Sequence, residues 1–364
     1  MREIAKRTIS KSAGLAPRIL IARLSAIGDC IQTLPVASAL RRQFPDAFIA
    51  WAVEAGAAPL IAAHPAVDQV IELPKGILTS PTAAWRVRQQ LLPLDVEIAL
   101  DPQGLSKSSA VAWLSGARRR IGFARPAGRE ISSLLNGELV EPRKTHMVDR
   151  YLELLEPLGI EQPAVEFGLD RLRHASAIET FAAGPEIRAG FAVVNPGAGW
   201  DSKRWPIERL AELVRQLGER ASLPSVVLWG GARELAWAEQ IVHHSAGHGR
   251  LAPPTTLLEL AGLLKRANLM IAADTGPLHL AAAVGTPSVG LFGATRREIC
   301  GPYGGRHIAL QAAFDGSAGR KLPGADNWAM RRISVSAVFA ACQEILGVAP
   351  AGRSRALAAL PCNR

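Results

Sequence analysis

The chain has 364 residues, of which 48% are apolar and 5% aromatic, and it carries a net charge of +10. That length exceeds what one core normally organises, so two domains are expected, and no apolar run is long enough to span a bilayer. The four cysteines, Cys30, Cys300, Cys342 and Cys362, are scattered, which argues against a disulfide framework or a cysteine metal site and fits a reducing cytoplasm.

Residues 1–17 form a basic leader without the apolar stretch of a signal peptide, and fixed structure is not expected there. Ile19–Ala22 reads as a buried parallel strand, Ser25–Asp29 as a turn and Ile31–Gln43 as a helix. Asp29 thus falls near the C-terminal end of the first strand, where open α/β sheets bind ligands. The turn has a carboxylate and one glycine, so it is not a dinucleotide fingerprint. Strands follow at Phe48–Val53, Gln69–Leu73, Val96–Leu100 and Arg120–Phe123, alternating with helices at Ala57–Ala63, Thr82–Leu91, Lys107–Leu114 and Asp149–Leu158. Alternation of this kind builds right-handed βαβ units on a parallel sheet. The mixed stretch Gln162–Ile187 reads as the linker.

The second half repeats the pattern. Its strands are expected at Phe191–Asn195, Ser225–Trp229, Leu269–Ala273 and Ser288–Phe292. Its helices are expected at Ile207–Leu217, Glu234–Val242, Thr256–Lys265, Pro277–Val284 and Ser334–Ile345. The domains are therefore 18–175 and 176–348, with a last helix able to cross back to the first, and a tail at 349–364 without expected structure. The fold class is α/β, two Rossmann-like parallel-sheet domains facing a cleft, and such interfaces commonly hold ligands.

Four loops could carry chemistry. In Asp274-Thr275-Gly276-Pro277 a strand ends and a helix begins at once. Free N–H groups and the helix dipole there favour a phosphate, although Asp274 is also a natural N-cap. His279, one turn inside, is a group that packs or braces the loop. In Asn195–Pro206, Gly197 and Gly199 make a concave backbone, and Lys203 offers a compact positive charge. Gly230-Gly231 followed by Glu234 could form a nucleoside pocket in which the carboxylate accepts from a ribose diol. Asp101, Gln103 and Lys107 share the sheet edge of Asp29 and either bind an acceptor or cap the next helix. No P-loop and no Gly-x-Ser-x-Gly elbow is present, and the histidines show no metal-ligand spacing. The basic run from Arg118 to Lys144 is either a solvated face or a contact for an anion, and no nucleic-acid module supports reading it as a nucleic-acid site.

In this order and spacing the stretches Ile19–Pro35, Trp51–Leu73, Leu100–Phe123, His146–Leu158, Asn195–Pro206, Val226–Glu234 and Ala272–Thr295 resemble the bacterial lipopolysaccharide heptosyltransferases of glycosyltransferase family nine. The resemblance implies a glycosyltransferase B fold and inverting, metal-independent transfer of heptose from ADP-heptose to the inner core of a lipid-anchored glycan. No cofactor is implied. It makes Asp29 the general base and Lys203 the group that meets the diphosphate. Asn195, Gly197, Gly230, Glu234, Asp274, Thr275, Gly276 and His279 become donor-binding residues; Ser25, Gly28, Asp101, Gln103, Lys107 and Arg120 become acceptor-binding. It also implies a cytoplasmic enzyme whose arginines from Arg118 to Arg129 approach phosphorylated lipid at the inner membrane face, each worth about 1 kcal/mol. The competing readings are an epimerase or hydrolase of sugar nucleotides on the same fold, and a non-catalytic binding protein.

Overall fold

The computed structural model describes residues 16–74, 76, 80–169, 176–316 and 324–347. Most of the leader, the tail and part of the linker expected from the sequence lie outside the described residues. Two all-parallel six-stranded sheets carry the fold. The first consists of β1 (Arg18–Ala22), β2 (Phe48–Glu54), β3 (Gln69–Leu73), β4 (Ile98–Asp101), β5 (Arg119–Phe123) and β6 (Glu138–Val140), in the order β3-β2-β1-β4-β5-β6. The second consists of β7 (Ala192–Asn195), β8 (Ser225–Val227), β9 (Gly249–Leu251), β10 (Leu269–Ala273), β11 (Ser288–Leu291) and β12 (His307–Leu310), in the order β12-β11-β10-β7-β8-β9. Both are the same winding. The chain starts centrally, moves out one way, crosses back and moves out the other way. Strand order therefore reverses between β1 and β4 and between β7 and β10, and a ligand crevice opens at each reversal.

Alternate strand residues point to opposite faces of the first sheet. Ile19, Ile21, Ile49 and Trp51 pack with the helices Ile27–Gln43 and Ala58–Ala62. Leu20, Ala22, Ala50 and Ala52 pack with the helices Pro81–Leu91 and Ser106–Leu114. The first of these cores is continuous with Val193, Met270, Leu278 and Phe292 of the second lobe. The helix Ile27–Gln43 packs on the helix Gly276–Ala283, so the starts of two helices, one from each lobe, meet at the seam. A second seam joins the helix Met147–Glu153 to residues 301–303. There the Tyr303 hydroxyl donates to Asp149 Oδ1 at 2.6 Å, and His146 Nε2 donates to the Gly301 carbonyl at 2.9 Å. The sequence left open whether the last helix crosses back. It spans Val335–Leu346 and packs on the second lobe, with Val338, Phe339 and Cys342 in that core.

Three strands, β6, β9 and β12, have no counterpart in the sequence reading. Each lies at the edge of its sheet, and an edge strand needs no continuous apolar run because one side is uncovered.

Candidate active site at the lobe interface

The helix that carries Asp29 begins at Ile27, not after Asp29 as the sequence suggested. Asp29 is therefore the third residue of a helix rather than part of a turn. Its Oδ2 accepts the Ala26 N–H at 3.1 Å, and its Oδ1 pairs with Arg23 Nη2 at 2.9 Å. Two donors leave unused lone pairs on both oxygens. The side chain is 40% exposed, whereas Arg23 is buried. Burial alone would lower the Arg23 pKa, but the neighbouring Tyr151 and Asp29 hold it above its ordinary value. The guanidinium also donates to the Pro102 carbonyl at 3.1 Å. The chain thus fixes the carboxylate from behind through a buried cation and leaves its front open.

The other expected acceptor residues separate into two groups. Lys107 Nζ donates to Ser25 Oγ at 2.8 Å and to Glu54 Oε1 at 2.9 Å, so these three groups stand on the same edge as Asp29. Asp101 does not face a ligand. It is fully buried, accepts the Gly104 N–H at 2.9 Å and Asn136 Nδ2 at 3.0 Å, and burial raises its pKa. Gln103 is also buried and accepts the Leu24 N–H at 2.9 Å. Both residues shape the loop after β4. Arg120 is misplaced for an acceptor. It pairs in register with Ala99, two residues before the level of Asp101, and it donates to the carbonyls of Ala117 and Leu135. Asp101→Ala is accordingly expected to cost about 1–3 kcal/mol in urea denaturation by leaving Asn136 and Gly104 unpaired, with the KM for acceptor unchanged.

Gly28 belongs to the seam. It is buried, and a Cβ there would stand 2.7 Å from His279 Cδ2 and 3.5 Å from Gly276 Cα. The absence of a side chain is what lets the two helix starts touch. Gly28→Ala is expected to cost about 1–3 kcal/mol of stability by overpacking, with a loss of turnover; denaturant midpoint and rate check both.

In the second lobe the N-cap of the Gly276–Ala283 helix is Thr275, not Asp274, and its side chain does not cap the helix. The Thr275 hydroxyl instead donates to the Ala273 carbonyl at 3.1 Å and accepts Asn195 Nδ2 at 3.3 Å. The helix start therefore has no side-chain cap, and uncapped N–H groups at a helix start favour an anion. Asp274 sits just before them, with Oδ2 2.5 Å from Lys203 Nζ and Oδ1 3.1 Å from His279 Nε2. Burial would raise its pKa, but the His279 hydrogen bond and the Lys203 charge bring it well below the usual carboxylate range. A carboxylate committed in this way positions Lys203 rather than touching a phosphate. His279 is likewise a brace and not a ligand contact. It is buried, and its Nδ1 stands 3.3 Å from Gln32 Nε2 of the first lobe. Gln32, His279, Asp274 and Lys203 form one chain of polar contacts across the seam.

Lys203 comes from a short 3-10 turn, Asp201–Lys203, and its ammonium lies 4.0 Å from the Trp200 ring centroid. Glu234 is the third residue of the helix Ala232–His243, which begins two residues earlier than the sequence suggested, and accepts the Gly230 N–H at 2.8 Å. Burial raises its pKa, partly offset by that N–H. A Cβ on Gly197 would lie 2.3 Å from Glu234 Oε1, so the loops after β7 and β8 close on this carboxylate. Asn195, Gly197, Lys203, Gly230, Glu234, Thr275 and Gly276 therefore meet along one edge. Sequence reasoning missed Arg23, Gln32 and Glu54. A cation directly after an apolar strand was a usable signal for Arg23; Gln32 and Glu54 matter only through partners distant in sequence.

Two identically wound lobes meet at the C-terminal edges of their sheets, one offering a held carboxylate and the other an uncapped helix start with a lysine beside it. This is the arrangement of a two-lobed glycosyltransferase of the B type. Residues 84–322 match Glycosyltransferase family 9 (heptosyltransferase), and the chain belongs to that family. It is 31% identical to lipopolysaccharide heptosyltransferase 1 of Pseudomonas aeruginosa over 82% of this chain and 84% of that protein. It is 29% identical to the protein of the same description from Escherichia coli K12, over 81% and 93% respectively. Among solved structures it resembles the E. coli heptosyltransferase WaaC with ADP-2-deoxy-2-fluoro heptose, with a TM-score of 0.71 and 25% identity over 90% of this chain and 99% of that one.

Proposed function

We propose that the protein is an inverting heptosyltransferase that moves heptose from ADP-heptose to the inner core of lipopolysaccharide. The observation that carries this reading is the half-exposed Asp29 carboxylate at the start of a helix whose Gly28 lies against Gly276 of the uncapped helix start. The ADP diphosphate would sit on the first turn of the Gly276–Ala283 helix, with Lys203 beside it and Glu234 at the ribose. The acceptor hydroxyl, beside Asp29, attacks the anomeric carbon from the face opposite the diphosphate. The new C–O bond forms as the bond to the diphosphate breaks, the hydroxyl proton passes to Asp29, and ADP leaves with its added charge met by Lys203 and the helix start. Lys107, Ser25 and Glu54 would hold the acceptor glycan.

This reading needs no metal, because Lys203 and the helix dipole supply the positive potential at the leaving group. Transfer is expected to persist in EDTA, measured as heptosylated product by mass spectrometry; strict dependence on a divalent cation would overturn the metal-independent part. A hydrolase would release nucleotide equally with and without a lipid acceptor and an epimerase would convert the nucleotide sugar without any acceptor, whereas a transferase requires the acceptor. The acceptor is an anionic lipid-linked glycan, so the enzyme would work in the cytoplasm, peripherally at the inner face of the membrane. Among the described residues no helix is long and apolar enough to cross a membrane. Nucleic acid has no place in this reading.

A further inference from the structure

Three neighbouring helices on the outer face of the first sheet turn large apolar side chains to solvent. Trp85 is 62% exposed on the helix Pro81–Leu91, Trp113 is 52% exposed on Ser106–Leu114, and Leu134 is 78% exposed on Ser132–Leu135. The first helix packs on the second and the second on the third. The inner sides of the first two already fill the core through Val87, Leu91, Val111 and Ala112. The outward residues are therefore a second apolar surface, of the kind that marks an interaction site.

The charge beside them is predominantly positive, with exposed acids at its borders, Asp95 after the first helix and Glu130 before the third. No acidic residue occurs between Ser80 and Leu94 or between Pro102 and Arg129, and Arg86, Arg118, Arg125 and Arg129 are exposed there. The longer arginine run singled out from sequence contributes less than its length suggests. Arg119 is held by Glu138 and Arg143 by Glu153 and Glu156, while Arg120 donates to carbonyls. The surface also borders the acceptor edge. The Arg129 N–H donates to the Gly104 carbonyl at 2.9 Å, and Glu130 Oε2 accepts the Ser106 N–H at 2.9 Å.

We propose that this face docks on an anionic bilayer, with Trp85, Trp113 and Leu134 in the headgroup region and the arginines on lipid phosphates. The proposal rests on the lipid-linked acceptor reading above and deepens it. It places the membrane under the first lobe, next to the loop that leads to Asp29.

The test is cosedimentation with vesicles of phosphatidylethanolamine and phosphatidylglycerol, and with vesicles of phosphatidylcholine alone. The full chain is expected to bind the anionic vesicles preferentially. Combining Trp85→Ser, Trp113→Ser and Leu134→Ser should lower the partition at least about tenfold, while Trp328→Ser, an exposed tryptophan of the second lobe, should not. The triple variant should keep its melting temperature and its turnover on a detached, water-soluble acceptor glycan, and lose turnover on vesicle-borne acceptor. Equal binding by the triple variant, or no preference for anionic lipid, overturns the proposal. So does a wild-type dimer that the variant converts to monomer without any vesicle binding, since the face would then pair with a second copy. Patch-dependent vesicle binding by a protein that transfers no sugar would uphold the docking surface and remove the transferase reading.

Discussion

Asp29→Asn is expected to lower transfer by roughly 10²–10⁴-fold while leaving ADP affinity within about twofold of wild type. Asparagine retains an oxygen for the Ala26 N–H or for Arg23, so the helix start should survive, but it cannot accept the acceptor's proton. ADP titration by calorimetry and single-turnover transfer separate the two effects. Turnover at the wild-type rate would remove Asp29 from the chemistry and leave it a helix cap. A parallel fall in ADP affinity would mean that the seam at Gly28 and Gly276 had been disturbed instead. Arg23→Met serves as the companion variant. It should also reduce turnover, but with lost stability, because a buried cation paired to Asp29 and Pro102 is replaced.

Lys203→Met is expected to reduce kcat by roughly 10²–10³-fold, with ADP binding weakened less. Charge builds on the diphosphate as the glycosidic bond breaks, so a cation there acts more on the transition state than on the bound donor. Its partner gives the contrast. In Asp274→Asn, Lys203 remains but loses the carboxylate that aims it, and His279 loses its acceptor. That variant should be impaired less than Lys203→Met, and combining the two should give much less than the product of their effects, since they act through one group. Additive losses would show that Asp274 touches the donor independently of Lys203.

The doubly wound fold was legible in the sequence because parallel strands buried on both faces are written as short apolar runs. β1, β2, β4, β7 and β10 all appear that way, each ending where a polar loop begins. The edge strands β6, β9 and β12 were not legible, since half-covered strands such as Gly249-Arg250-Leu251 carry no such signal. The same logic divides the site. Asp29, Lys203, Glu234 and the turn after β10 could be singled out because they follow strands at the C-terminal edge of a parallel sheet, and that edge is where ligands bind whatever the partner residues are.

Sequence alone, then, determined two parallel α/β lobes and the loops that carry the candidate chemistry, because periodicity and strand-end position are local properties. Only the tertiary structure decided which polar residues in those loops remain free. Asp101 is spent on Gly104 and Asn136 and Gln103 on Leu24, and Arg120 is turned to other carbonyls. His279 and Asp274 brace a lysine, while Asp29 keeps an open face because the buried Arg23 holds it from behind. Several of those outcomes depend on contacts between groups distant in sequence, as in Gln103 with Leu24, Lys203 with Asp274 and Gln32 with His279, and burial and hydrogen-bond partners at such separations are fixed by packing rather than by any local pattern.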